Sequence, residues 1–209
     1  MNTTIFWRWL FFCTGLIILS LGATLTIKGQ FLGVGSWDVL HIGLAKKIGL
    51  TIGSWSILTG ILILVLTSLI YKRLPQIGTF LNLLLVGVFI DIFNWLLPDV
   101  ESLFIQAVLF VLGALLLGYG CGIYIVANLG AGPRDSLMLL VVDKLGWSIM
   151  KARTTMEVTV SVVGFLLGGP VGIGTVFMAF GLGPIIQKSI QLNSELLYKC
   201  CGERLFLSH

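Results

Sequence analysis

The stretch Leu32-Gly33-Val34-Gly35-Ser36-Trp37-Asp38-Val39-Leu40 returns 97 residues later as Leu129-Gly130-Ala131-Gly132-Pro133-Arg134-Asp135-Ser136-Leu137. Both read L-G-x-G-x-x-D-x-L, and eight of the 22 positions from Phe31 to Ile52 equal their partners at that shift. Chance in so biased a composition would give about a quarter of that, on usual residue frequencies. At a shift of 96, Ile77-Gly78-Thr79 pairs with Ile173-Gly174-Thr175, and Gly87 with Gly183. The chain reads as two copies of one plan.

Around the motifs lie long uncharged runs. Of 209 residues, 57% are hydrophobic and only 11% charged, against roughly 25% charged in a soluble domain. Mean hydropathy is +1.04. These values exclude a soluble globular domain, a disordered chain and a coiled coil. A membrane span needs about 20 apolar residues, and six such runs can be placed. Residues 1–98 hold spans at 9–27, 50–71 and 76–97. Residues 99–191 hold spans at 103–128, 148–167 and 174–190. Residues 192–209 form a cytoplasmic tail. The uncharged run from Trp9 to Ile27 exceeds a usual signal-peptide core and lacks a clear cleavage site, so it reads as a retained span.

The 13 basic residues divide unevenly between the two sides of such a bundle. With the N-terminus inside, ten fall on the inner side; Lys28, Lys46 and Lys47 fall outside. That bias places both termini in the cytoplasm of a multi-pass plasma-membrane protein. Three spans per copy is an odd number, so the copies must point in opposite directions. The basic turn Lys72-Arg73-Leu74-Pro75 has an uncharged counterpart, Gly168-Gly169-Pro170, as inversion requires. The expected fold is an all-α membrane protein of about six transmembrane helices in two inverted three-span repeats.

Each repeat also contains a short helix, 36–47 and 133–144. Twelve residues reach about 18 Å, too short to span. The second is apolar on every side over Leu137–Val142, which calls for burial. A re-entrant half-helix in each repeat is the expectation, since irregular backbone at membrane depth survives only inside protein or along a wet cavity. Gly33, Gly35, Gly130 and Gly132 permit sharp turns and close backbone approach, and Pro133 suits the first helical position. Asp38 and Asp135 fall in the first turns. There they either cap the positive helix ends or, with those glycines and Arg134, bind a polar substrate near the midplane. Arg134 could meet an anion or simply reach the inner interface.

Asp91 and Asn94 share a helix face inside the third span. An intramembrane carboxylate is a functional suspect, so Asp91, with Asn94, is a candidate for proton or ion coupling, against a structural hydrogen bond. Glu157 is a third candidate, against an ion pair with Arg153 four residues earlier. With only His41 and His209 as histidines, and cysteines at 13, 121, 200 and 201, the sequence suggests neither a metal site nor a cofactor. There is no nucleophile–base pair, so no enzyme is expected, and no basic run suited to nucleic acid. Glycine pairs such as Gly118–Gly122 suit close packing, and a homodimer is compatible with them.

The Leu32–Leu40 motif, its echo at Leu129–Leu137 and the glycines at 78 and 174 resemble the bacterial YczE/YyaS/YitT family of integral membrane proteins, most closely the YczE type. The resemblance covers residues 8–191. It implies a bacterial plasma-membrane protein with five or six spans, and it carries over no catalytic or ligand residue. The YitT branch often bears a cytoplasmic C-terminal domain; this chain ends about 18 residues after its sixth expected span, so no such regulation is expected. Inverted repeats built on interrupted helices mark many secondary transporters. The expected function is a small permease for a small polar solute. The alternative is a membrane scaffold for an enzyme complex without transport activity.

Overall fold

The computed structural model describes residues 3–130, 132–147 and 149–201. The end of the expected tail, 202–209, lies outside them. Eight α-helices follow in order among the described residues: α1 (Thr3–Lys28), α2 (Ser36–Ile48), α3 (Ile52–Tyr71), α4 (Ile77–Leu96), α5 (Leu103–Val126), α6 (Pro133–Leu145), α7 (Ile149–Leu166) and α8 (Ile173–Cys201). A short 3₁₀ turn, Gln30–Leu32, precedes α2. The expected helices all appear, within a few residues of their expected bounds. The ends of the first and last differ: α1 starts six residues early, and α8 carries ten residues of the expected tail as helix.

Five helices are long and apolar enough to cross a membrane: α1, α3, α4, α5 and α8. The sixth expected span, α7, does form a helix. It falls short of that class because Lys151, Arg153 and Glu157 crowd its first turns. Large apolar side chains face outward around the bundle, among them Leu62, Leu69, Phe104, Phe165 and Phe180. Such an outer surface suits lipid, not water.

The bundle is organised on α1 and α5, which pack along each other. Their contact is made of glycines. A Cβ on Gly15 would lie 3.0 Å from the Gly120 carbonyl oxygen, and one on Gly22 would lie 2.7 Å from that of Gly113. As Gly15 meets Gly120 and Gly22 meets Gly113, the two helices run antiparallel. Small residues seven apart let the backbones approach, as membrane helices require. At the cytoplasm-assigned end, Arg8 Nε donates to the Ala127 carbonyl (2.8 Å) and Nη2 to that of Asn128 (2.5 Å). These carbonyls would otherwise be unpaired at the end of α5.

The motif loops dock crosswise. Gly33 has φ +105° and abuts Thr175 and Gly172; Gly130 has φ +150° and abuts Thr79. At both positions the left-handed backbone and the crowding demand glycine. The Val34 amide donates to Thr175 Oγ1 at 3.2 Å. Leu32 packs on Gly174, and Leu129 on Gly78. Each Leu-Gly loop therefore rests on the Ile-Gly-Thr turn of the other half of the chain. That is why both short sequences recur together.

Candidate functional site

The docked loops aim the first turns of α2 and α6 at a common space. Trp37 and Arg134, equivalent positions in the two motifs, meet there: the guanidinium carbon stands 5.0 Å from the Trp37 ring centroid. A cation over an indole face is a favourable contact. From this meeting point the short helices diverge. At the end of α2, the Gly49 carbonyl accepts from Trp55 Nε1 (2.7 Å), near the start of α3. At the end of α6, Lys144 Nζ stands 5.8 Å from the Tyr71 ring, at the opposite end of α3. Twenty residues of α3 separate those ends by about 30 Å.

The space between the two first turns is a cavity of about 150 Å³, partly open to the exterior. It is lined by Gly35, Ser36 and Asp38 from α2 and its cap, and by Gly132, Arg134 and Asp135 from α6 and its cap. Arg153 and Glu157 of α7 reach the same space. Six of the residues singled out in the sequence thus line one cavity. Gly33 and Gly130 do not; they hold the loops in place from behind.

The two aspartates have different surroundings. Tyr124 Oη donates to Asp135 Oδ2 at 3.1 Å, and Asn82 approaches Gly132 beside it. Asp38 is 3% exposed and accepts no hydrogen bond among the described residues. His41 Nδ1 stands 3.9 Å from its Oδ1. His41 is itself buried and shares a hydrogen with Thr59 Oγ1 through Nε2 at 3.0 Å, while Nδ1 has no bonded partner among the described residues. Ser36 Oγ, also buried, likewise has none. Neither carboxylate accepts from a first-turn amide among the described residues, though both stand in the first turns where a negative charge suits the helix dipole.

Asp91 and Asn94 lie apart from the cavity. The Asp91 carboxylate accepts from the Gly53 amide at 2.9 Å and from the Thr51 hydroxyl. It closes the first turn of α3, where free amides need acceptors. No ion pair within 4.0 Å joins Arg153 to Glu157 among the described residues, although both face the cavity.

The family of unknown function DUF6198 matches residues 6–191. An uncharacterized membrane protein YczE of Bacillus subtilis (strain 168) is 45% identical over 197 residues, covering 94% of this chain and 92% of the relative. The chain belongs to this YczE-type family of membrane proteins. An uncharacterized protein of Haemophilus influenzae is 34% identical over 181 residues, covering 87% of this chain and 82% of its own length. Uncharacterized protein YyaS of Bacillus subtilis is 32% identical over 171 residues, covering 80% and 85%. No solved structure matches the chain.

In this YczE-type chain, sequence reasoning missed Tyr124 and Asn82 as cavity residues. Both are polar groups within long apolar helices. That was the available signal, because a hydroxyl or amide at such depth needs a partner. It missed Ser36 too, because serine beside a helix start reads as ordinary.

Proposed function

We propose that this protein is a plasma-membrane permease for a small polar solute, built from two inverted three-span repeats with both termini in the cytoplasm. The observation that carries the reading is the single cavity into which both motif first turns point. Binding sites at the meeting of two interrupted helices are the recurring plan of secondary transporters. Inversion is supported by the antiparallel pairing of α1 with α5, and by the short helices leaving toward opposite ends of α3. It also agrees with the side assignments. Lys28 pairs with Asp99 at 2.6 Å and Lys46 donates to the Gly168 carbonyl at 3.1 Å, joining segments all assigned outside. Arg8 and Lys144 meet only segments assigned inside. In this reading α7 is the sixth span, and its Arg153 and Glu157 are admissible because they turn to the cavity. Asp91 serves as a helix cap and not as the coupling group. The site itself is Gly35, Ser36, Asp38, Gly132, Arg134 and Asp135, with Arg153 and Glu157.

The test is access to the cavity. Met156 of α7 also lines the cavity; in a chain freed of its four native cysteines, Met156→Cys would be treated with an impermeant thiol reagent in right-side-out and in inside-out membrane vesicles. A permease exposes that position from both sides. Labelling from one side only, or none, would defeat the reading and leave the membrane-scaffold alternative in front.

A further inference from the structure

Five carboxylate or guanidinium side chains line the cavity: Asp38, Asp135, Glu157, Arg134 and Arg153. No ion pair within 4.0 Å joins any two of them among the described residues. Asp135 is answered by Tyr124 and Arg134 by the Trp37 ring. Glu157 of α7 accepts no hydrogen bond among the described residues, and two further unanswered acceptors gather at the start of α2. They are the buried Asp38 carboxylate and the buried Ser36 Oγ, two residues apart on either side of Trp37. A helix N-terminus by itself favours an anion. A buried carboxylate in its first turn reverses that preference and calls for a donor carrying positive charge.

Extending the permease reading, on which this rests, we infer that the site takes a short zwitterion of the amino-acid type. Its ammonium group is held by Asp38 and Ser36, and its carboxylate by Arg134 and Arg153. An ammonium has three N–H donors, enough for the two Asp38 oxygens and Ser36 Oγ. A bare metal cation would answer Asp38 but offer no acceptor to the guanidinium groups of Arg134 and Arg153. A simple carboxylate would do the reverse. Arg153 makes no hydrogen bond or ion pair among the described residues, and guanidinium forks match carboxylate geometry. The spacing between the two ends is short, because Arg134 stands over the very side chain that separates Ser36 from Asp38. That favours α- or β-amino acids over long ω-amino acids.

The experiment uses proteoliposomes of the full chain and a ¹⁴C-labelled L-amino-acid mixture, with butylamine and butyrate as single-charge competitors in hundredfold excess. The expected result is uptake above protein-free liposomes, little inhibition by either competitor, and a fall of at least tenfold in Asp38→Asn and in Arg153→Gln. If Asp38→Asn does not elute as a monodisperse peak, Ser36→Ala substitutes; three- to tenfold weaker half-saturation is then expected. Full inhibition by butylamine alone or by butyrate alone overturns the zwitterion, as does uptake indifferent to these variants. Absence of amino-acid uptake while Met156→Cys is still labelled from both sides also overturns it and leaves the permease intact. Absence of both removes the permease as well.

Discussion

Asp38 and Asp135 hold the same place in the repeat, yet their stabilities should respond oppositely to neutralisation. Asp38 is buried with no hydrogen bond, so its charge opposes folding unless a ligand answers it. Asp38→Asn is expected to leave the unfolding temperature in detergent unchanged or raise it by a few degrees. Asp135 accepts from Tyr124 at 3.1 Å, a bond to a charged group. Tyr124→Phe is expected to cost about 1–2 kcal/mol, read as a lower unfolding temperature. A matching loss in Asp38→Asn would mean that its carboxylate is a structural cap. Neutralising both aspartates should abolish uptake while the protein still elutes as a folded species. Asp91 is a different case. Asp91→Ala removes acceptors from the start of α3 and should cost about 1 kcal/mol with uptake per folded molecule unchanged. The sequence marked Asp91 as a carboxylate within an apolar run, and its structural hydrogen bonds were the alternative weighed there. Its partner Thr51 lies 40 positions away, and only the packing of α4 on α3 brings them together.

At the scale of elements, the helix boundaries were legible because uncharged runs end at charges, prolines and glycines. The short helices were legible because their motif recurs. What could not be read was which element each motif rests on. Ile-Gly-Thr recurs as plainly as Leu-Gly-x-Gly, but repetition says nothing of the crosswise docking of Gly33 on Thr175 and Gly130 on Thr79. That docking makes a clear mutational contrast. Gly130→Ala must hold φ +150° and place a Cβ 2.6 Å from the Thr79 amide nitrogen. Backbone strain and overpacking together should cost about 2–4 kcal/mol, read as loss of folded protein at 37 °C. Gly146, at the end of α6, has φ +64° and nothing within 4 Å of its Cβ position. Gly146→Asn, which tolerates the left-handed region, should cost about 0.5–1 kcal/mol. Equal losses at the two sites would mean that the crosswise docking does not hold the loops.

At the scale of the whole molecule, everything depends on whether the two short helices open to opposite sides of the membrane. Their C-terminal ends carry matched reporters, Lys47 and Lys144, which are equivalent at the 97-residue shift. Lys144 stands beside Tyr71, at the end of α3 that leads into the basic turn Lys72-Arg73. Lys46, next to Lys47, is tied to the Gly168 carbonyl beside the uncharged turn of the other half. A lysine placed outside would run against the usual basic bias of inner loops; under the proposed orientation the bond to Gly168 would hold this one there. With the native cysteines replaced, Lys47→Cys should react with an impermeant thiol reagent in intact cells. Lys144→Cys should react only after the cells are opened. The expected ratio of labelling rates between intact and opened cells differs at least tenfold between the two variants. The 30 Å reach of α3 then becomes the thickness across which the halves face away from each other. Each half would supply one first turn to the shared cavity and one exit from it, which is the arrangement alternating access needs. If both positions were labelled from the same side, α3 could not cross between them. The cavity would open to one compartment only, and the paired aspartates would have to be explained as parts of a docking platform.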